Sequence, residues 1–256
     1  MPQTKTIGAR AFRTLLRKRG YNLVRTDHRK ADPPVDADEH TRVVIKAIEN
    51  HTLTPHGRVI SLVDSVRYIV QREVPGAIVE CGVWRGGSMM AAAMTLVEQG
   101  DMSRDLYLFD TFTHMPPAGP EDVKRNGRRV SDIERSGEYS PFFEYIPLDA
   151  VRAAMFATGY PEARIHFVPG LVEDTLPSEA PTQIALCRLD TDYYQSTKHE
   201  MEHLYPRIAS DGVLLIDDYG EFLGARKAVD EYFAAQADPA PFLHRIDHAA
   251  RLILKP

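Results

Sequence analysis

The chain has 256 residues, 43% of them hydrophobic, and a formal net charge of -5. That is enough apolar material for one full core and too little positive charge for a broad nucleic-acid surface. No apolar run approaches the roughly 20 residues that span a bilayer, and the basic start lacks the apolar segment of a secretory signal, so a soluble, cytoplasmic protein is expected.

From Met1 to Lys30, Asp27 is the sole acid among a scatter of Arg and Lys that includes Arg10, Arg13, Arg17 and Lys18. This stretch reads as a solvated amphipathic helix, with peripheral contact to a membrane surface or an anionic substrate as the sharper alternative. Asp38–Asn50 and Arg58–Arg72 read as helices, the second with apolar residues at Val59, Leu62, Val63, Val66, Ile69 and Val70. Residues 1–73 are therefore expected to form a helical extension that caps a domain spanning 74–256.

Within that domain, strand-length apolar runs alternate with helical patterns, the signature of a parallel sheet covered on both faces. Ala77–Cys81, Leu106–Asp110, Ile165–Val168, Ile184–Leu189 and Val213–Ile216 read as buried strands. Phe242–Ile246 and Arg251–Leu254, joined by a short polar turn, read as an antiparallel hairpin. The two cysteines, Cys81 and Cys187, fall inside these strands, which argues against disulfides. Such a seven-stranded, mostly parallel, Rossmann-like α/β sheet with a terminal hairpin resembles the class I methyltransferase fold. The stretch Thr111–Pro147, rich in Gly, Pro and charge, is too long for a simple connection and reads as a lid or substrate loop before a helix at Leu148–Thr158.

The strand ends carry the chemistry. Glu80-Cys81-Gly82-Val83-Trp84-Arg85-Gly86-Gly87-Ser88 is a glycine turn that aims helix N–H groups at a ligand, yet it matches the dinucleotide fingerprint poorly. Asp110, at the end of the second strand, is placed to accept both ribose hydroxyls of a nucleoside cofactor. Glu80, an acid at the end of the first, suits the positively charged amino-acid part of S-adenosylmethionine, a group that NAD lacks. The fourth strand ends in Asp190-Thr191-Asp192 and the fifth in Asp217-Asp218. Parallel neighbours bring these four carboxylates together, and a hard dication, Mg²⁺, is the simplest relief of their repulsion. Coordination would acidify an acceptor hydroxyl, with Asp192 placed as base if Asp190 faces the metal. Which of the two takes which role stays open at this level.

His199-Glu200-Met201-Glu202-His203 satisfies the His-Glu-x-x-His pattern of zinc proteases. Its helix follows the Asp190/Asp192 strand and lacks a clear third ligand, so a polar or packed helical face is the expectation. A non-catalytic nucleotide-binding protein on the same fold is the other alternative, and it leaves the four acids unexplained.

With these residues in hand, the chain resembles the macrocin O-methyltransferase family between about His51 and Phe233. The likeness is densest at Val79–Ser88, Leu106–Phe112, Phe167–Gly170, Leu189–Tyr193 and Ile216–Tyr219. It implies an S-adenosylmethionine- and Mg²⁺-dependent O-methyltransferase acting on a sugar hydroxyl of a glycosylated natural product or bacterial oligosaccharide. A non-sugar hydroxyl is the alternative acceptor. It also implies Asp190, Asp217 and Asp218 as metal ligands, Asp192 as general base, and Glu80, Gly82, Asp110, Thr52, Ser88, Thr111 and Asp174 as cofactor contacts. A homo-oligomer is expected. Thr113–Tyr145 and the basic N-terminus fall outside the likeness, which leaves the acceptor open, with His114 a candidate substrate contact.

Overall fold

The computed structural model describes residues 14, 16–20, 33–137 and 144–256. The chain divides into two compact units, Met1–Asp32 and Pro33–Pro256. In the first, the described residues are helical at 14 and 16–18 and turn at 19–20; the remainder of the expected basic helix lies outside the described residues.

The second unit opens with α1 (Glu39–Ile48), whose N-terminus is capped by Asp38: its Oδ1 accepts from the Thr41 amide at 2.8 Å. Helix α2 (His56–Gln71) follows and buries Val59, Leu62, Val63, Val66 and Ile69, each contributing about 1.5–3 kcal/mol on burial. Then come β1 (Ala77–Cys81), α3 (Gly87–Gln99), β2 (Leu106–Asp110), α4 (Val130–Ser136), α5 (Leu148–Phe156), β3 (Ile165–Pro169) and the one-turn α6 (Val172–Thr175). The chain continues through β4 (Ile184–Leu189), α7 (Tyr194–Leu204), β5 (Ile208–Ile216), α8 (Leu223–Ala234), β6 (His244–Arg245) and β7 (Arg251–Leu254).

The sheet order is β3-β2-β1-β4-β5-β7-β6. The first five are mutually parallel, and β7 runs antiparallel to both β5 and β6. Successive residues of β1 feed opposite layers: Ile78 joins the core under α2 and α3, while Val79 and Cys81 join the core containing Met201 and Leu204 of α7. Both cysteines are buried and unpaired, as their strand positions implied.

Three elements differ from expectation. Strand β5 begins at Ile208, not Val213, because the polar Asp211-Gly212 pair is held by backbone bonds to Lys255 on both sides. Strand β6 is two residues long, and Phe242 stands 82% exposed beyond it. Much of Thr111–Pro147 is folded rather than an open loop: Val123 bridges Arg129, Lys124 bridges Phe222, and α4 buries Val130 and Ile133. Residues 138–143 lie outside the described set. No described helix is long and apolar enough to cross a membrane.

Candidate active site

The parallel ladder extends one step past each strand and levels the site residues along the carboxyl edge. The Gly82 amide bonds the Phe109 carbonyl, the Asp190 amide bonds the Cys81 carbonyl, and the Asp217 amide bonds the Leu189 carbonyl, at 2.9, 2.9 and 3.0 Å. A cavity opens above this edge. Thr52, Gly82, Ser88, Asp110, Thr111, Asp190, Asp192, Asp217 and Asp218 all line it, as does His114. Two expected contacts do not. Glu80 is fully buried beneath the cavity, and Asp174 is exposed on α6, outside the lining.

Gly82 is required by the protein itself. Its φ is +82°, and a Cβ there would lie 2.1 Å from the Asp190 carbonyl oxygen, so the close approach is between β1 and β4 rather than to a ligand alone. Gly87 plays the same part at the start of α3, where a Cβ would lie 2.5 Å from the His51 carbonyl and 2.6 Å from Thr52. The turn between them is fastened by Asp110. Its Oδ2 accepts from the Val83 and Trp84 amides at 2.7 and 3.0 Å, and its Oδ1 from the Phe112 amide at 2.8 Å. The Thr111 hydroxyl also lies 3.5 Å from Oδ1, so most of the acceptor positions of Asp110 serve the turn that faces the cavity.

Under the carboxylates sits Arg188, buried in β4. Its Nη1 donates to Glu80 at 2.6 Å and Asp190 at 2.5 Å, and its Nη2 to Asp217 at 2.6 Å and Thr54 at 3.2 Å. Arg58, on the first turn of α2, donates through Nε to Asp247 at 2.8 Å and through Nη1 to the second oxygen of Asp217. Asp217 is thus held by two guanidinium groups. Glu80 is pushed up to about 7, by burial first and against the pull of Arg188, and its Oε2 is buried without a partner.

Asp190, Asp192 and Asp218 each offer an oxygen within 4.8 Å of the others. The carboxyls of Asp192 and Asp218 lie well above the usual carboxylate range because burial and the neighbouring acids disfavour their charge. Asp218 Oδ2 is buried with no hydrogen-bond partner. Asp192 has φ +68°, in the left-handed region, which marks a turn held against local preference. Three converging oxygens, all three with suppressed charge, and one orphan acceptor fit a hard dication well.

Arg188, Arg58 and Thr54 were not singled out from sequence. A cation in the middle of the apolar Ile184–Leu189 run was the available signal for Arg188, since a buried charge must be paired. Arg58 carried none, because its partners are more than 150 residues away.

The macrocin-O-methyltransferase (TylF) family model matches residues 7–253. The chain belongs to this family. The match takes in most of the basic N-terminus, which sequence reading had set outside the likeness. Among similar proteins, 8-demethyl-8-(2,3-dimethoxy-alpha-L-rhamnosyl)-tetracenomycin-C 4'-O-methyltransferase of Streptomyces olivaceus is 35% identical, over 71% of this chain and 67% of its own. Demethyldecarbamoylnovobiocin O-methyltransferase of Streptomyces niveus is 30% identical, over 82% of this chain and 74% of its own. The solved O-methyltransferase NovP superposes with a TM-score of 0.70 at 28% identity, covering 80% of this chain and 82% of that one. As a macrocin-type enzyme the protein is an O-methyltransferase, and S-adenosylmethionine is its methyl donor.

Proposed function

We propose that the protein transfers the methyl group of S-adenosylmethionine to a sugar hydroxyl of a glycosylated natural product or bacterial oligosaccharide, with Mg²⁺ in the carboxylate cluster. The observation that carries this reading is the convergence of Asp190, Asp192 and Asp218 in the same cavity as the glycine turn. The names of the similar proteins from Streptomyces, one of which specifies a rhamnosyl acceptor, support a sugar.

Asp190, Asp217 and Asp218 are the proposed cation ligands. The oxygens of Asp217 already accept from arginines, and each keeps a second lone pair with which to join the set. A dication here would lower the pKa of an acceptor hydroxyl and fix its oxygen. Asp192 is the proposed acceptor of the hydroxyl proton as the oxygen attacks the methyl carbon, in the ionised form that a dication held by its neighbours would favour. Glu80 is proposed to act on the cofactor's ammonium group from beneath the cavity, and Asp110, on the cavity wall, to accept from the ribose. Gly82, Ser88, Thr52 and Thr111 form the cofactor wall, and Asp174 has at most an indirect part. A second assignment, favoured by the 4.8 Å grouping, makes Asp192 the third ligand and leaves Asp217 to its arginines.

The test is incubation with labelled S-adenosylmethionine and a glycoside panel, with and without Mg²⁺, followed by mass-spectrometric location of the methyl group. Methylation on sugar oxygen that EDTA abolishes is expected. Full activity after EDTA and dialysis would remove the metal, and methylation of non-sugar hydroxyls alone would remove the acceptor class.

A further inference from the structure

The His199–His203 stretch, which matches a zinc-protease pattern by letter, divides across two faces of α7. Glu200 points into the core, where its Oε1 accepts the Thr191 hydroxyl at 2.9 Å. A metalloprotease needs that glutamate beside the metal with both histidines, so the pattern does not function as one here. On the outer face, His199, Glu202 and His203 fall at helical positions i, i+3 and i+4 and form one stripe.

That stripe has the geometry of a metal site. One ligand atom from each of the three lies within 4.8 Å of the others. The rings of His199 and His203 stand 4.3 Å apart at 63°, close enough to share an ion and not stacked flat. His199 Nε2 lies 3.2 Å from the Leu176 carbonyl, a bond that only the Nε2–H tautomer makes and that leaves the Nδ1 lone pair available. Metal-binding histidines are commonly oriented by a carbonyl in this way. Two imidazoles and one carboxylate suit a borderline dication such as Zn²⁺ and not Mg²⁺, which takes oxygen ligands.

We propose that His199, Glu202 and His203 form a second metal site, for a zinc-class dication, on the outer face of α7. Three protein ligands leave the fourth tetrahedral position to water. The site is chemically distinct from the strand-end carboxylates and does not depend on the methyl-transfer reading.

The experiment is calorimetric titration of the untagged full-length protein with Zn²⁺ in excess Mg²⁺, repeated with Co²⁺ and read by its visible absorption. One equivalent of Zn²⁺ and a tetrahedral Co²⁺ spectrum are expected. Loss of a ligand should cost at least what loss of an orienting partner does, about 10–100-fold in affinity, for His203→Ala. Glu202 is exposed, so Glu202→Gln tests the site without risk to the fold and should weaken Zn²⁺ by about 10-fold or more. No Zn²⁺ binding in excess Mg²⁺, or unchanged affinity in Glu202→Gln, overturns the three-ligand set. Binding that survives His203→Ala and disappears in Asp192→Asn places the ion at the strand ends and overturns the site altogether.

Discussion

Replacing Arg188 with methionine tests whether one buried cation holds the acidic edge together. Arg188 is 4% exposed and faces three carboxylates at 2.5–2.6 Å. Methionine keeps the volume and removes every one of those bonds. Breaking a buried pair by deleting one partner costs about 3–5 kcal/mol. Asp217 keeps Arg58, and Glu80, already pushed up to about 7, takes up a proton, so the cost stays near that of one pair. In a unit of this size each kcal/mol moves the melting temperature by about 2–4 °C, which gives a fall of roughly 6–20 °C. Mg²⁺ should then raise the melting temperature of Arg188→Met more than that of the wild type, because the dication replaces the missing charge. Melting followed by circular dichroism at pH 7, with and without Mg²⁺, reads both effects. A melting temperature within about 2 °C of wild type, or an equal gain from Mg²⁺ in the two proteins, would refute the argument.

Glu200 is buried with no ion pair among the described residues and is pushed up to about 8 from the usual 4.5, by burial first. Its contribution to stability is therefore fully present below pH 4.5 and lost as pH rises through about 8. Glu200→Gln cannot ionise, so its advantage over wild type in urea unfolding should grow by up to a few kcal/mol between pH 5 and pH 8.5; a pH-independent difference counts against this. Gly82→Ala forces a Cβ against the Asp190 carbonyl at positive φ, and should cost about 2–5 kcal/mol together with affinity for S-adenosylhomocysteine; wild-type melting and binding would show that the strands can part without loss. Asp190→Asn and Asp218→Asn should weaken Mg²⁺ binding in calorimetry. Asp192→Asn should keep Mg²⁺ and lose turnover by about 10²–10⁴-fold, and its rescue by excess Mg²⁺ would make Asp192 a ligand instead.

The parallel strands were legible because burial on both faces leaves unbroken apolar runs, as in Ile184–Leu189. The four acids were legible because they interrupt such runs at their ends. What sequence could not supply was the partner of each acid. Asp110 reads as a ribose acceptor from its strand end, whereas its bonds to the Val83, Trp84 and Phe112 amides are backbone contacts that no side-chain pattern announces. Asp217 looked like Asp218, yet Arg58 and Arg188 separate their chemistry. Strand β5 was cut short for a related reason: Asp211-Gly212 has local turn character, and only pairing with the C-terminal Lys255 overrides it.

The segment after β2 is fastened beside the turn that carries the proposed base. Asp122, buried within it, caps α7 by accepting the Tyr194 amide through Oδ1 at 2.8 Å and holds its own turn through the Gly119 amide at 2.7 Å. Gly224 at the start of α8 has no room for a Cβ, which would lie 2.8 Å from that same Oδ1. Val130, Tyr193, Phe222 and Ala225 seal the contact in a small core. Tyr193 directly follows Asp192, so the insertion is bolted to the left-handed turn that carries the proposed base. Of the cavity rim, Met115 packs against that anchor, while Thr113, His114, Glu144 and Ile146 are not part of it. Exchanging Thr113 or His114 on the rim should therefore alter acceptor use with little effect on melting temperature, whereas Asp122→Ala, which frees the Tyr194 amide next to Asp192, should lower both stability and turnover. Equal effects of the two kinds of substitution would count against this division.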